Sequence, residues 1–339
     1  MSSPSKILIV KMGALGDLFY ALPAVNSLKK AFPNSQIDWL VTDTLAEALS
    51  PFTEISNVIK FNGEQIFKGS LFSRILGTLK LRKKIENYDA ILLLHRHPAH
   101  LLPFLGKGKV FRLTRSRSLL DLFAHSTVIP PLAFHESLAI KKLVTNMVQF
   151  FKAQMPPGWK INYPKQTQNE IVVHLGGGEN LKTEFKLKQW PKMVELIASL
   201  INSKEEKIVL VGAPNELGLA LDVCKNISDK SRITNLVGKT SLPELILQIS
   251  RAKIFIGPDS GPLHIADQLG VLSVGIFGPT STVSWGLINE NSKTVLNKTS
   301  CHPCYKDDGY FPECKFEHRC MTELSAQQVL TTVLETITR

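Results

Sequence analysis

The sequence predicts an α/β protein built from two doubly wound domains. Three observations carry this. Short apolar runs of strand length recur, each closed by a turn and followed by apolar residues at helical spacing. The pattern restarts after a boundary marked by proline and glycine near the middle of the chain. The length, 339 residues, suits two domains of ordinary size.

Lys6 to Val10 is the first apolar run, and Lys11-Met12-Gly13-Ala14-Leu15-Gly16-Asp17 turns out of it. Leu18, Leu22, Val25, Leu28 and Phe32 fall at helical spacing, Pro33-Asn34 stops them, and Gln36 to Val41 is a second strand. This βαβ opening predicts a parallel sheet. Gly13 and Gly16 do not make a dinucleotide fingerprint, because the third glycine is missing and no acid ends the second strand. Asp17 lies at the mouth of the sheet, where open α/β folds bind ligands. An acid at a helix start is also a common cap, and the dipole there lowers its pKa.

Leu45 to Leu49 predicts a short helix and Asn57 to Phe61 a strand. Gln65 to Glu86 is a basic amphipathic stretch, with Ile66, Leu71, Ile75, Leu79 and Ile85 against Lys68, Arg74, Lys80, Arg82, Lys83 and Lys84. It reads either as a helix packed on the sheet with a solvated basic face, or as a contact for anionic lipid headgroups. Asp89 to Leu94 is the next buried strand. His95, His97 and His100 follow it, but their order fits neither a helix face nor a finger, so an acceptor-side loop is the better reading than a metal site. Lys107, Lys109, Arg112, Arg115 and Arg117 form a second basic cluster. It has few rings for stacking single-stranded nucleic acid and fits phosphate better. His135-Glu136 opens a helix to about Lys152.

Met155-Pro156-Pro157-Gly158 and Tyr163-Pro164-Lys165-Gln166 mark the boundary. The expected domains are 1–165 and 166–320, with a closing helix in 321–339 that packs back on the first domain. Glu170 to Leu175 is a strand, and Gly176-Gly177-Gly178 after it lets backbone N–H groups approach a phosphate. Lys186-Leu187-Lys188-Gln189-Trp190-Pro191 heads a helix to about Leu200. Lys207 to Gly212 is a strand leaving through Ala213-Pro214-Asn215-Glu216. Ile233 to Val237 is another, leaving through Gly238-Lys239-Thr240, and Ser241-Leu242-Pro243-Glu244 is a capping box.

Lys253 to Ile256 then runs into Gly257-Pro258-Asp259-Ser260-Gly261-Pro262-Leu263-His264. This strand–turn–helix puts Ser260 and Gly261 at a helix N-terminus, where free amides and the dipole attract phosphate. Asp259 can accept hydrogen bonds from sugar hydroxyls, and His264 lies one turn further in. Val271 to Phe277 follows and ends in Gly278-Pro279-Thr280.

The net charge is +11, and residues 1–165 carry all of the excess, with 22 Lys and Arg against 10 Asp and Glu. That half should meet an anionic partner. No apolar run reaches the ~20 residues of a spanning helix, and no leader pattern precedes the first strand, so a cytosolic location is the expectation. Cys224 falls in an apolar helical pattern. Cys301, Cys304, Cys314 and Cys320 cluster with a Cys-x-x-Cys pair, a candidate for structural zinc, with two disulfides less suited to a reducing cytosol.

Asp259-Ser260-Gly261-Pro262-Leu263-His264 with Phe277-Gly278-Pro279-Thr280, and Lys11, Gly16, Asp17 and Pro23 at the front, resemble the two end motifs of glycosyltransferase family 9. The resemblance spans nearly the whole chain and implies a GT-B fold, two Rossmann-like domains facing across a cleft. It implies an inverting heptosyltransferase of lipopolysaccharide synthesis, with ADP-heptose as donor and an anionic lipid A–Kdo acceptor. Asp17 would be the catalytic base. Lys188, Glu216, Thr240, Asp259, Ser260, Gly261 and His264 would bind the donor. Acceptor contacts are expected from Lys11, Arg112, Arg115 and Arg117. The resemblance implies no cofactor, no nucleic acid, and a monomer held peripherally at the inner face of the inner membrane. Other classes consistent with the residues are a different nucleotide-sugar enzyme, such as an epimerase, and a non-catalytic RNA-binding protein.

Overall fold

The computed structural model describes residues 2–67, 69–131, 134–164, 167–177, 185–305 and 313–338. Lys68, Lys165, Gln166 and Gly178, singled out above, lie outside the described residues. The chain divides into two compact units, Met1–Asn162 and Tyr163–Arg339.

The first unit holds β1 (Lys6–Val10), β2 (Gln36–Thr42), β3 (Asn57–Phe61), β4 (Ala90–Leu93), β5 (Lys109–Leu113) and β6 (Ser126–Val128). They form one parallel sheet in the order β3-β2-β1-β4-β5-β6. The second unit holds β7 (Glu170–His174), β8 (Lys207–Val211), β9 (Ile233–Asn235), β10 (Ile254–Pro258), β11 (Ser273–Phe277) and β12 (Lys293–Leu296). Their order is β12-β11-β10-β7-β8-β9, again all parallel. Counted from its own first strand, each sheet runs 3-2-1-4-5-6. Each unit is therefore a doubly wound domain, with a switch point between β1 and β4 in one and between β7 and β10 in the other. At a switch point the loops depart to opposite faces and open a crevice at the carboxyl ends of the strands.

The central strands are continuous apolar runs because both of their faces are covered. Ile7 to Val10, Ala90 to Leu93 and Ile171 to Val173 are fully buried. Within the second basic cluster, Val110, Phe111 and Leu113 complete β5 beside β4 and carry Arg112 inward with them. The single helix predicted after β1 is two, Leu15–Ala21 and Pro23–Ala31. Pro23 occupies the first position of the second helix, where its missing N–H has no consequence. The basic stretch is likewise divided into Gly63–Phe67 and Leu71–Lys84, the latter capped by the Ser70 hydroxyl.

The closing helix, Ala326–Ile337, corrects an expectation. Val329, Leu330 and Val333 enter the core of the second unit with Trp190, Leu196, Ile197, Leu200 and Ile276. Each such burial is worth roughly 2 kcal/mol, which fixes the helix on this sheet.

Candidate active site

In the first unit the switch point gathers charge. Lys11, next after β1, is buried, and its Nζ lies 3.2 Å from Asp17 Oδ2 and 3.3 Å from Glu136 Oε1. Burial alone would discharge this lysine, but the two carboxylates outweigh it and hold its pKa above the ordinary value. Glu136, in the first turn of helix Glu136–Phe150, is buried as well, and it also pairs with Arg96 from the loop after β4. Its burial favours the neutral acid, but Lys11 and Arg96 keep its pKa below the usual carboxylate range. Asp17 is the accessible member, with 27% of its side chain exposed. It stands in the third position of helix Leu15–Ala21, whose cap position is held by Ala14.

His95 is drawn into the same corner. Its Nε2 accepts the Met12 N–H at 2.6 Å, while burial, the charge of Lys11 and the neighbouring His100 keep its pKa well below the ordinary value. A neutral imidazole accepting a backbone amide is a structural partner for the β1 turn. His100 packs its ring on both His95 and His97.

In the second unit β10 ends in Pro258, and Asp259 follows directly. The buried Asp259 carboxylate receives Lys188 Nζ at 2.8 Å on one oxygen and His264 Nε2 at 2.8 Å on the other. Burial raises its pKa, but the charge of Lys188 and the hydrogen bond from His264 override this and hold it far below the usual carboxylate range. Lys188 is placed by Trp190, which is fully buried and donates its indole N–H to Leu324 O at 3.1 Å.

Ser260 is the N-cap of helix Gly261–Gln268, but its side chain does not cap the helix. Its Oγ lies 3.0 Å from His174 Nδ1, and His174 Nε2 lies 3.1 Å from Glu216 Oε2. Since the carboxylate accepts, Nε2 carries the proton and Ser260 donates to Nδ1. Glu216 also accepts the Ala213 N–H at 2.8 Å. Its carboxylate fills the space beside two strand ends. A Cβ at Gly176 would lie 1.7 Å from Glu216 Oε1, and one at Gly212 2.5 Å from Oε2, so a side chain at either position would displace this carboxylate. The helix N-terminus is thus left without a side-chain cap, at a strand end where helix amides and the dipole attract anions. Among the described residues the buried Thr280 hydroxyl has no hydrogen-bond partner either.

The structure brings Lys188, Asp259 and His264 into one cluster, and Glu216, His174 and Ser260 into an adjoining chain. Thr240 stands apart from these contacts, half-buried on the loop after β9, whose Gly238 has φ 72°. Two cations expected at the acceptor are corrected. Lys11 is buried between Asp17 and Glu136, and Arg112 is fully buried against Asp121 at 3.1 Å. Neither presents a charge to solvent, whereas Arg115 and Arg117 are exposed. His174 and Glu136 are the residues that sequence reasoning missed. The available signal was a polar side chain closing an apolar strand, and an acid in a helix's first turn.

Two doubly wound parallel sheets of this order, each with polar groups gathered at its switch point, have the architecture of the GT-B class. The family model described as glycosyltransferase family 9 (heptosyltransferase) matches residues 79–314. The chain is 27% identical over 331 residues to lipooligosaccharide heptosyltransferase 2 of Campylobacter jejuni, covering 93% of this chain and 94% of that one. It is 25% identical over 326 residues to lipopolysaccharide heptosyltransferase 1 of Escherichia coli K12, covering 87% and 99%. The solved E. coli heptosyltransferase WaaC with ADP matches with a TM-score of 0.73 at 20% identity, covering 98% of this chain and 99% of that one. The chain belongs to glycosyltransferase family 9 and is a glycosyltransferase.

Proposed function

We propose that this enzyme transfers heptose from ADP-heptose to the inner core of lipopolysaccharide, in its Kdo and heptose region, with inversion at the anomeric carbon. The observation that carries this reading is the cluster of half-buried Lys188 with buried Asp259 and His264 beside the N-terminus of Gly261–Gln268, in a chain of this family. A cation and a helix N-terminus without a side-chain cap, both at a switch point, suit a diphosphate. The relatives are named for heptosyl transfer to lipooligosaccharide and lipopolysaccharide, and WaaC was solved with ADP.

In the proposed step the Asp17 carboxylate takes the proton of an acceptor hydroxyl. The freed oxygen attacks the anomeric carbon, the bond to the diphosphate breaks, and its electron pair leaves with ADP. Lys188 and the amides of the second-unit helix stabilise the charge that grows on the leaving diphosphate. Glu216 orients His174, which turns Ser260, and also stands as the donor ribose contact, with Thr240 near the base. No cofactor enters the step. Incubation with ADP-heptose and Kdo-lipid A should add one heptose to the acceptor by mass spectrometry. Release of heptose at the same rate without acceptor would instead indicate a hydrolase or epimerase.

We place the enzyme in the cytoplasm, peripheral to the inner face of the inner membrane. Among the described residues no helix is long and apolar enough to cross a membrane. Support for a surface contact comes from the first unit. Leu71, Phe72, Ile75 and Leu79 on helix Leu71–Lys84, and Leu119, Leu122 and Phe123 on the turn Leu119–Phe123, are exposed, Leu119 to 84%. Lys83, Lys84, Arg115 and Arg117 flank these two segments, and Arg115 and Arg117 also serve the anionic acceptor. Apolar side chains with basic neighbours fit an anionic bilayer. A Leu119→Ser, Leu122→Ser, Phe123→Ser variant should bind phosphatidylglycerol vesicles at least about tenfold more weakly, given roughly 1.5–3 kcal/mol for each apolar chain inserted. Equal binding by parent and variant, or equal binding to neutral vesicles, would remove this face from the reading.

A further inference from the structure

We propose that Cys301, Cys304, Cys314 and Cys320 form a tetrahedral zinc site that clips the C-terminal segment of the second unit onto its donor-binding loops. The four cysteines come from two segments, all carry free thiols, and all line one cavity of about 20 Å³ together with Leu187, Pro279 and Phe316. That volume has room for one water-sized body. Four thiols around a space of single-atom size, on a Cys-x-x-Cys framework, make a ligand set that favours zinc over harder cations.

The contacts to sulfur support the same reading. The chain turns through left-handed backbone at Glu317 (φ 49°) and His318 (φ 55°), and this turn aims the His318 N–H at Cys314 Sγ, 3.3 Å away. The Thr299 hydroxyl lies 3.3 Å from Cys301 Sγ. Hydrogen bonds of this kind orient a metal-bound thiolate and spread its charge. Among the described residues no three His, Cys, Asp or Glu side chains already converge as a finished ligand set. Each cysteine Sγ moves between staggered wells by rotation about one bond. Binding selects the wells that face the cavity, and the four thiol protons leave to solvent as four zinc–sulfur bonds form.

The site abuts the donor machinery. The N–H groups of Cys304 and Tyr305 both donate to Pro279 O at 3.0 Å, and His302 Nδ1–H donates to Gly278 O at 2.7 Å. Cys320 and Met321 press so closely on Gly278 that a Cβ there would lie 2.3 Å from Met321 Sδ. Leu187 in the cavity wall precedes Lys188, and the Tyr305 ring lies 5.9 Å from Lys188 Nζ. A metal holding the four sulfurs would therefore fix both neighbours of the Lys188 ammonium.

The test is the metal content of the full chain, purified without a metal-binding tag, by mass spectrometry. The expected result is one zinc per chain, falling by about tenfold in Cys304→Ser and in Cys314→Ser. Since those variants can fail for lack of folding, cobalt is titrated into chelator-stripped parent protein. Tetrahedral thiolate-to-cobalt absorption saturating at one equivalent supports the site. A metal-free native protein whose four thiols all titrate, or two disulfides found by non-reducing mass spectrometry, would overturn it. The zinc stoichiometry is independent of the functional reading. The clip rests on that reading, and zinc removal should weaken ADP binding at least tenfold, reversibly. Unchanged ADP affinity would overturn the clip while leaving the metal.

Discussion

Asp17→Ala should lower the rate of transfer by roughly 10²- to 10⁴-fold, the span expected for loss of a general base, while ADP affinity stays within about twofold. Two features of the structure separate these effects. Asp17 is in the first unit, whereas Lys188, Asp259, Ser260 and His264 are in the second. Asp17 is also the one carboxylate near Lys11 with appreciable exposure, since Glu136 is buried. Removing Asp17 does not leave a buried charge alone, because Lys11 keeps Glu136 at 3.3 Å. The variant should therefore melt close to the parent. Asp17→Asn preserves the shape and should lose as much rate. Calorimetric titration of ADP together with initial rates checks both halves. Transfer at the parental rate would remove Asp17 as the base, and a collapse in melting temperature would make it a structural acid.

How much of this was legible beforehand depends on how far apart the cooperating residues lie in the chain. Asp259, Ser260 and His264 form one continuous strand–turn–helix, so their meeting could be read directly from spacing. Their partners could not. Ser260 meets His174 across 86 residues, and Lys11 meets Glu136 across 125. The sheet shows the same division. Central strands must be apolar on both faces and so announce themselves, whereas β6 and β12 are short edge strands with Ser, Thr and Lys and only one neighbour to satisfy. β5 was hidden differently, by a fully buried arginine among its apolar residues. The closing helix shows a third limit. Its periodicity reveals an apolar face but not which sheet that face covers, and only the packing on Trp190 and Ile276 decides it.

Lys188→Ala should be the most damaging donor-site change, affecting both stability and ADP binding, and the two losses can be separated. The lysine lies 2.8 Å from a carboxylate that is almost wholly buried. Deleting one partner of such a pair leaves an uncompensated charge, at a cost of about 3–5 kcal/mol. The partner left behind, Asp259, keeps only the His264 contact at 2.8 Å from among the pair described here. A second change, Asp259→Asn, removes the stranded charge. The double variant Lys188→Ala, Asp259→Asn should therefore recover most of the lost stability, a coupling that a double-mutant cycle measures directly. ADP binding should not recover, because the diphosphate has still lost its ammonium. A loss of roughly tenfold or more in ADP affinity, consistent with ~1.5–3 kcal/mol for a charge-assisted hydrogen bond, should persist in the double variant. If affinity returned together with stability, Lys188 would be only the neutralising partner of Asp259, and the diphosphate contact would have to be reassigned to the helix amides alone.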